Sequence, residues 1–92
     1  MEMQGKVVIV TGAGSGIGRS LAQRIADNGA EAVICTDMNE ENAKETASSI
    51  GEKGASVFLD VGDEKAIEAV VREAENQHGR VDLFVSNAGY GQ

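Results

Sequence analysis

Eight residues, Thr11-Gly12-Ala13-Gly14-Ser15-Gly16-Ile17-Gly18, have the composition of an anion cradle. They follow the β-branched run Val7-Val8-Ile9-Val10 and lead into a helical pattern that starts at Ile17. Glycines let a backbone turn tightly and approach a ligand closely, and the free N–H groups at a helix start face an anion. The chemistry implied is the binding of a diphosphate. The spacing G-x-G-x-x-G is not present in register: counted from Gly12 its third glycine falls on Ile17, and from Gly14 on Arg19. The spacing that fits is T-G-x-x-x-G-x-G, with Gly12, Gly16 and Gly18 as its glycines. A glycine cluster alone is a weak signal; its place between a first strand and a helix makes it a strong one.

Other residues extend that chemistry. Asp37 closes a second apolar run, 19 positions after Gly18. A carboxylate there can accept both hydroxyls of an adenosine ribose, and its charge repels a 2′-phosphate. The bland alternative is an ordinary aspartate in a strand-to-helix loop. No Arg or Lys occurs between Ala30 and Asn42, so NAD is expected in preference to NADP. Met38 is placed either to lie against an adenine ring or simply to fill a gap. Ser15 and the Ile17 amide are placed to hydrogen-bond diphosphate or ribose oxygens. Thr11 is expected to tie the loop to the fourth strand, and Gly18 to let the first helix pack closely on the sheet. Arg19 stands within reach of a phosphate or is a solvated surface arginine. His78, the one histidine, falls at a helix end where its charge suits the dipole and reads as structural. No cluster of Cys, His and carboxylates has metal-ligand spacing, so no metal is expected.

The elements that must hold these groups are legible in the apolar pattern. Lys6–Thr11 reads as a buried strand, followed by a helix over Gly16–Asn28 with Ile17, Leu21, Ala22, Ile25 and Ala26 on one stripe and Gly29 closing it. Ala32–Asp37 is the second strand. Asn39 caps the next helix, with Glu40 and Glu41 in its positive first turn and Ala43, Thr46, Ala47 and Ile50 on its inner face. That helix fades near Gly51–Gly54. Ala55–Asp60 is the third strand. Asp63 caps a third helix with the stripe Ile67, Val70, Val71 and Ala74, ending before Gly79, and Leu83–Asn87 is the fourth strand. Connections of this length make parallel crossovers, and right-handed crossovers favour a Rossmann-like, doubly wound α/β sheet. Strands one to three are expected to be buried on both faces. Ligands bind such sheets outside the carboxyl ends of the strands. Thr11-Gly12, Asp37, Asp60-Val61 and Asn87-Ala88-Gly89 would then share one edge.

Composition sets limits. The 92 residues are taken as one dinucleotide-binding domain, with 41% hydrophobic and 25% charged residues. Phe58, Phe84 and Tyr90 are the only aromatics, so the core is expected to be aliphatic and alanine-rich. The net charge of −7 argues against nucleic acid, whose phosphates select basic surfaces. It does not argue against a dinucleotide, whose charge is met locally by backbone amides. Cys35, alone, reads as a buried small hydrophobe. No apolar run approaches the roughly 20 residues of a membrane helix, and a cytoplasmic location without membrane attachment is expected.

The T-G-x-x-x-G-x-G loop, the Asp60-Val61 pair and the Asn87-Ala88-Gly89 element together resemble the short-chain dehydrogenase/reductase family over essentially the whole chain. The resemblance implies strand order 3-2-1-4 and an NAD-dependent oxidoreductase. It also implies that the Asp60 carboxylate meets the adenine amino group. Asn87 would bridge neighbouring strands and position a ribose, with Ala88 and Gly89 leaving room for the cofactor. Ser86-Asn87 is a mild departure, since many relatives have Asn-Asn there. The family's reactive Ser and Tyr-x-x-x-Lys lie downstream of the N-A-G element, so no catalytic role is carried to any residue here. What the resemblance implies is the adenosine-binding portion of such an enzyme. A stand-alone nucleotide-binding module and a self-associating fragment are the alternatives. An apolar fourth strand at the sheet edge, with Leu83, Phe84 and Val85, points to a homo-oligomer.

Overall fold

The computed structural model describes residues 3–87. Its elements alternate as β1 (Val7–Val10), α1 (Gly16–Asp27), β2 (Ala32–Asp37), α2 (Glu40–Ile50), β3 (Gly54–Phe58), α3 (Glu64–His78) and β4 (Leu83–Val85). The strands form one parallel sheet in the order β3-β2-β1-β4, the Rossmann-like arrangement expected. Val10 pairs with Cys35 on one side and Val85 on the other, and Asp37 pairs with Phe58. All four carboxyl ends therefore lie along one edge.

Alternate residues of β1, β2 and β4 feed two cores. Val8, Val10, Val33 and Cys35 pack with Ala22 and Ile25 of α1 and Ala47 of α2. Val7, Ile9, Ala32 and Ile34 pack on the opposite face with Leu59 and with Val70 and Ala74 of α3. Burial on both faces explains why β1 and β2 read as continuous apolar runs. The buried hydrophobics are almost all Val, Ile and Ala, as the scarcity of aromatics foretold.

The helix starts are fixed locally. The Asn39 side chain accepts from the Asn42 N–H (3.0 Å) and Asp63 from the Ala66 N–H (3.1 Å), each satisfying an otherwise orphaned donor. Glu40, Glu41 and Glu64 add negative charge to those first turns. At the opposite end of the sheet Asp82 accepts from the Val7 N–H (2.8 Å) and from Arg80 Nε (2.9 Å). Arg80 also donates to the Gly5 carbonyl and reaches Glu31, so the entry to β1 is tied to the entry to β4.

Two expectations fail. The third strand is not buried on both faces: every residue of β3 is at least partly accessible, and Phe58 is 53% exposed. Among the described residues, α1 and α2 cover one side of the sheet, whereas α3 alone covers the other. A helix about 10 Å across spans roughly two strands at a spacing of about 4.8 Å. An apolar groove of about 470 Å3 is consequently left between β3 and α3. Ile17, placed on the inner stripe of α1, is instead 77% exposed, because it lies at the rim where the helix begins. β2 has its expected limits, whereas β1, β3 and β4 end early; Thr11, Leu59, Asp60, Ser86 and Asn87 lie in the loops just beyond them.

Candidate functional site

The glycine loop crosses from β1 to α1 at the carboxyl edge of the sheet and is pinned from three sides. The Thr11 N–H donates to the Val85 carbonyl (2.9 Å), and the Thr11 hydroxyl accepts from the Asn87 N–H (2.8 Å), which ties the loop to the segment after β4 as expected. The Ala13 N–H donates to the Thr36 carbonyl (2.9 Å) at the end of β2. From α2 the buried Thr46 hydroxyl gives its proton to the Ala13 carbonyl (2.8 Å) and accepts from Arg19 Nε (2.9 Å). Arg19 continues to Glu45 (3.2 Å). It is thereby held on α2 in this conformation.

Glycine is required by backbone conformation at Gly12 (φ 64°) and Gly16 (φ 56°), values that other residues rarely adopt. Gly18 is required by space: a Cβ there would overlap the Gly12 carbonyl oxygen and crowd the Asn87 side-chain nitrogen. The missing side chain lets α1 start directly over the loop.

The start of α1 differs from the other two helices. Ser15 is the N-cap, but its side chain makes no capping hydrogen bond, and the first turn holds no acidic residue. The first helical bond of this turn runs from the Arg19 N–H to the Ser15 carbonyl (3.3 Å), so the amides of Gly16, Ile17 and Gly18 precede it. Gly16 and Ile17 are exposed and Gly18 is buried, so positive helix potential and amides without a partner among the described residues stand at an accessible helix start, the combination that accepts a phosphate group. The Ser15 hydroxyl sits exposed beside them.

Asp37, half-buried at the end of β2, reaches back to this loop. Its Oδ2 accepts from the Gly14 N–H (2.8 Å) and its Oδ1 from the Asn39 N–H (2.8 Å). A carboxylate has about four acceptor positions, so each oxygen keeps capacity for another donor. Met38 follows, 62% exposed, with its side chain on the rim. Asp60 Oδ1 accepts from the Gly62 N–H (2.8 Å), the geometry of a turn residue, with its other oxygen unclaimed among the described residues. Val61, partly buried, packs against the core on the α3 face. Asn87 lies over Gly18, and Ala88 and Gly89 fall outside the described residues.

The structure therefore places Gly12, Ser15, Gly16, Ile17, Gly18, Asp37 and Asn87 at the carboxyl edge of the sheet, with Met38 and Asp60 in the loops beside them. Two participants were not singled out from sequence. Gly14 is the glycine left over by the T-G-x-x-x-G-x-G spacing, and that surplus was the available signal. Thr46 was read only as part of the inner face of α2. Among the described residues no group of three or more His, Cys, Asp or Glu side chains could hold a metal ion. No described helix is long and apolar enough to cross a membrane.

Residues 6–92 match the family model described as short chain dehydrogenase. Among curated relatives, an uncharacterized oxidoreductase of Thermotoga maritima is 45% identical over 92 residues, covering 97% of this chain and 36% of the relative. The 3-oxoacyl-(acyl-carrier-protein) reductase of Haemophilus influenzae is 39% identical over 87 residues, covering 95% of this chain and 36% of its own. The crystal structure of 3-ketoacyl-(acyl-carrier-protein) reductase from Brucella melitensis complexed with NADH superposes with a TM-score of 0.91 at 38% identity. It covers 99% of this chain and 37% of that one. The chain spans between 15% and 36% of the length of these and other curated relatives. With a loop, a sheet order and a sequence that agree over nearly its whole length, the chain belongs to the short chain dehydrogenase family.

Proposed function

We propose that this chain is the NAD-binding portion of an oxidoreductase that transfers hydride between the nicotinamide cofactor and an alcohol or carbonyl substrate. The observation that carries the reading is the start of α1: uncapped and free of acidic residues, over a loop whose glycines leave the backbone open to a diphosphate. Asp37 supports it from the side, as a carboxylate fixed at the adjoining strand end with acceptor capacity remaining. The donor set suits an anion next to a diol, which is the chemistry of an ADP-ribose group.

In this reading the amides of Gly16, Ile17 and Gly18, with the Ser15 hydroxyl, hold the diphosphate. Asp37 holds the adenosine ribose, Met38 lies along the adenine and Asp60 meets its amino group. Asn87, with Ala88 and Gly89, frames the second ribose, while Gly12 shapes the loop and Val61 supports the wall behind Asp60. The bound cofactor would supply or accept the hydride; the residues here bind and orient its adenosine end. The fixed charge of Asp37 favours NAD over NADP. The likeness to a reductase crystallised with NADH supports a nicotinamide cofactor. We also propose that copies of the chain associate through the β4 edge.

Calorimetric titration with NAD, NADP and AMP tests the reading. NAD should bind more tightly than NADP, and AMP should compete with NAD for the same site. Absence of heat at millimolar NAD would overturn the proposal. Asp37→Ala should weaken NAD by about tenfold to a hundredfold, the loss of about 1.5–3 kcal/mol for hydrogen bonds to a charged acceptor. His78→Ala, remote from the crevice, should leave binding unchanged.

A further inference from the structure

We infer that Gly14 is a positioning residue that sets the dinucleotide preference of this site through the Asp37 carboxylate; the inference rests on the reading of the crevice as a dinucleotide site. Gly14 lies outside the three glycines of the loop spacing. It is not among the glycines with positive φ, so backbone conformation does not demand it. Space does. A Cβ at position 14 would stand 2.7 Å from Asp37 Oδ2, 2.9 Å from Asp37 Cγ and 2.7 Å from the Cβ of Asn42. The bare backbone lets the Gly14 N–H donate to Oδ2 at 2.8 Å, while the Asn39 N–H holds Oδ1 at 2.8 Å.

The carboxylate is therefore oriented by two main-chain amides before any ribose arrives. A methyl group at position 14 meets both neighbours at once: the first turn of α2 must yield at Asn42, and the carboxylate on β2 must swing off the Gly14 amide. The second movement displaces the negative charge. An unmodified ribose then loses its acceptor, and a 2′-phosphorylated ribose loses its repulsion. Gly14→Ala should act on the ratio of the two affinities rather than on both equally. A merely structural glycine would weaken both dinucleotides alike.

The test is titration of the intact protein with NAD and NADP, comparing wild type with Gly14→Ala, Asp37→Ala and the double variant, with thermal melts alongside. Gly14→Ala should lower the NAD-to-NADP affinity ratio by about tenfold or more. Asp37→Ala should lower it similarly, and the double variant should go no lower than the Asp37 single variant, because both act through one group. An unchanged ratio in Gly14→Ala overturns the inference alone. A wild type that takes up neither dinucleotide overturns the reading beneath it as well. Should Gly14→Ala fail to fold, hydrogen exchange at the Gly14 amide decides. Exchange should speed by about tenfold in Asp37→Ser if the carboxylate holds that amide, and unchanged protection overturns the inference.

Discussion

Gly18 shows how one absent side chain positions a whole helix. A Cβ at this place meets the Gly12 carbonyl oxygen, a backbone atom with no rotamer to escape into. Overpacking generally costs about 1–3 kcal/mol, and the rigid neighbour puts this case at the upper end. Gly18→Ala should thus lose about 3 kcal/mol and lower the melting midpoint by about 12–24 °C, read by circular dichroism. Thr46 makes the complementary case, since its hydroxyl satisfies the Ala13 carbonyl and Arg19 Nε together. Thr46→Val keeps the shape and removes both bonds, leaving a buried carbonyl without this donor. A loss of about 1–3 kcal/mol in denaturant melts is expected, together with weaker NAD binding because the loop loses its tether to α2. At this scale the sequence was only partly readable. Gly12, Gly16 and Gly18 follow a spacing rule, and Asp37 follows from its place at a strand end. The pairings Gly14–Asp37 and Thr46–Ala13 link residues far apart in the chain, and no local pattern encodes them.

Elements were more legible than contacts, because apolar periodicity and capping residues act locally. Asn39 and Asp63 announced α2 and α3 by their chemistry, and the buried runs announced β1 and β2. The third strand misled because a strand without polar alternation reports side-chain type, whereas exposure depends on how many helices reach that end of the sheet. One tie between elements is also pH-sensitive. The backbone N–H of Val7 above all, partly offset by burial and then aided by the Arg80 guanidinium, holds the Asp82 carboxyl below the usual carboxylate range. A carboxylate whose proton affinity is lowered by folding adds stability above the pKa of the unfolded chain. That contribution disappears as the pH falls through the lower folded value. The joint between β1 and β4 should therefore loosen below about pH 4. Asp82→Asn should be less stable than wild type at pH 7, and the two should converge in urea melts taken toward pH 2. A difference that persists unchanged in acid would contradict this assignment.

For the molecule as a whole, the central strands and the outer edge behave differently. Cys35 lies in the middle of β2, fully buried, and burial pushes its thiol up to about 11. The thiolate is the reactive form, so alkylation at pH 8 should proceed only through opening of the sheet, and its rate should follow global unfolding across denaturant. The edge is another matter. In the described sheet β4 pairs with β1 alone, and Leu83, Phe84 and Val85 are only half-buried. Apolar edges with free backbone groups favour pairing with another chain. A net charge of −7 opposes the approach of a second copy. Screening decides between the two effects, because the Debye length shrinks from about 30 Å at 0.01 M salt to about 3 Å at 1 M. Self-association through β4 should accordingly strengthen as salt is raised, whereas assembly driven by ion pairs would weaken. Sedimentation equilibrium across that range reads the difference directly: a rising mean mass supports the edge contact, and a monomer at every salt concentration excludes it.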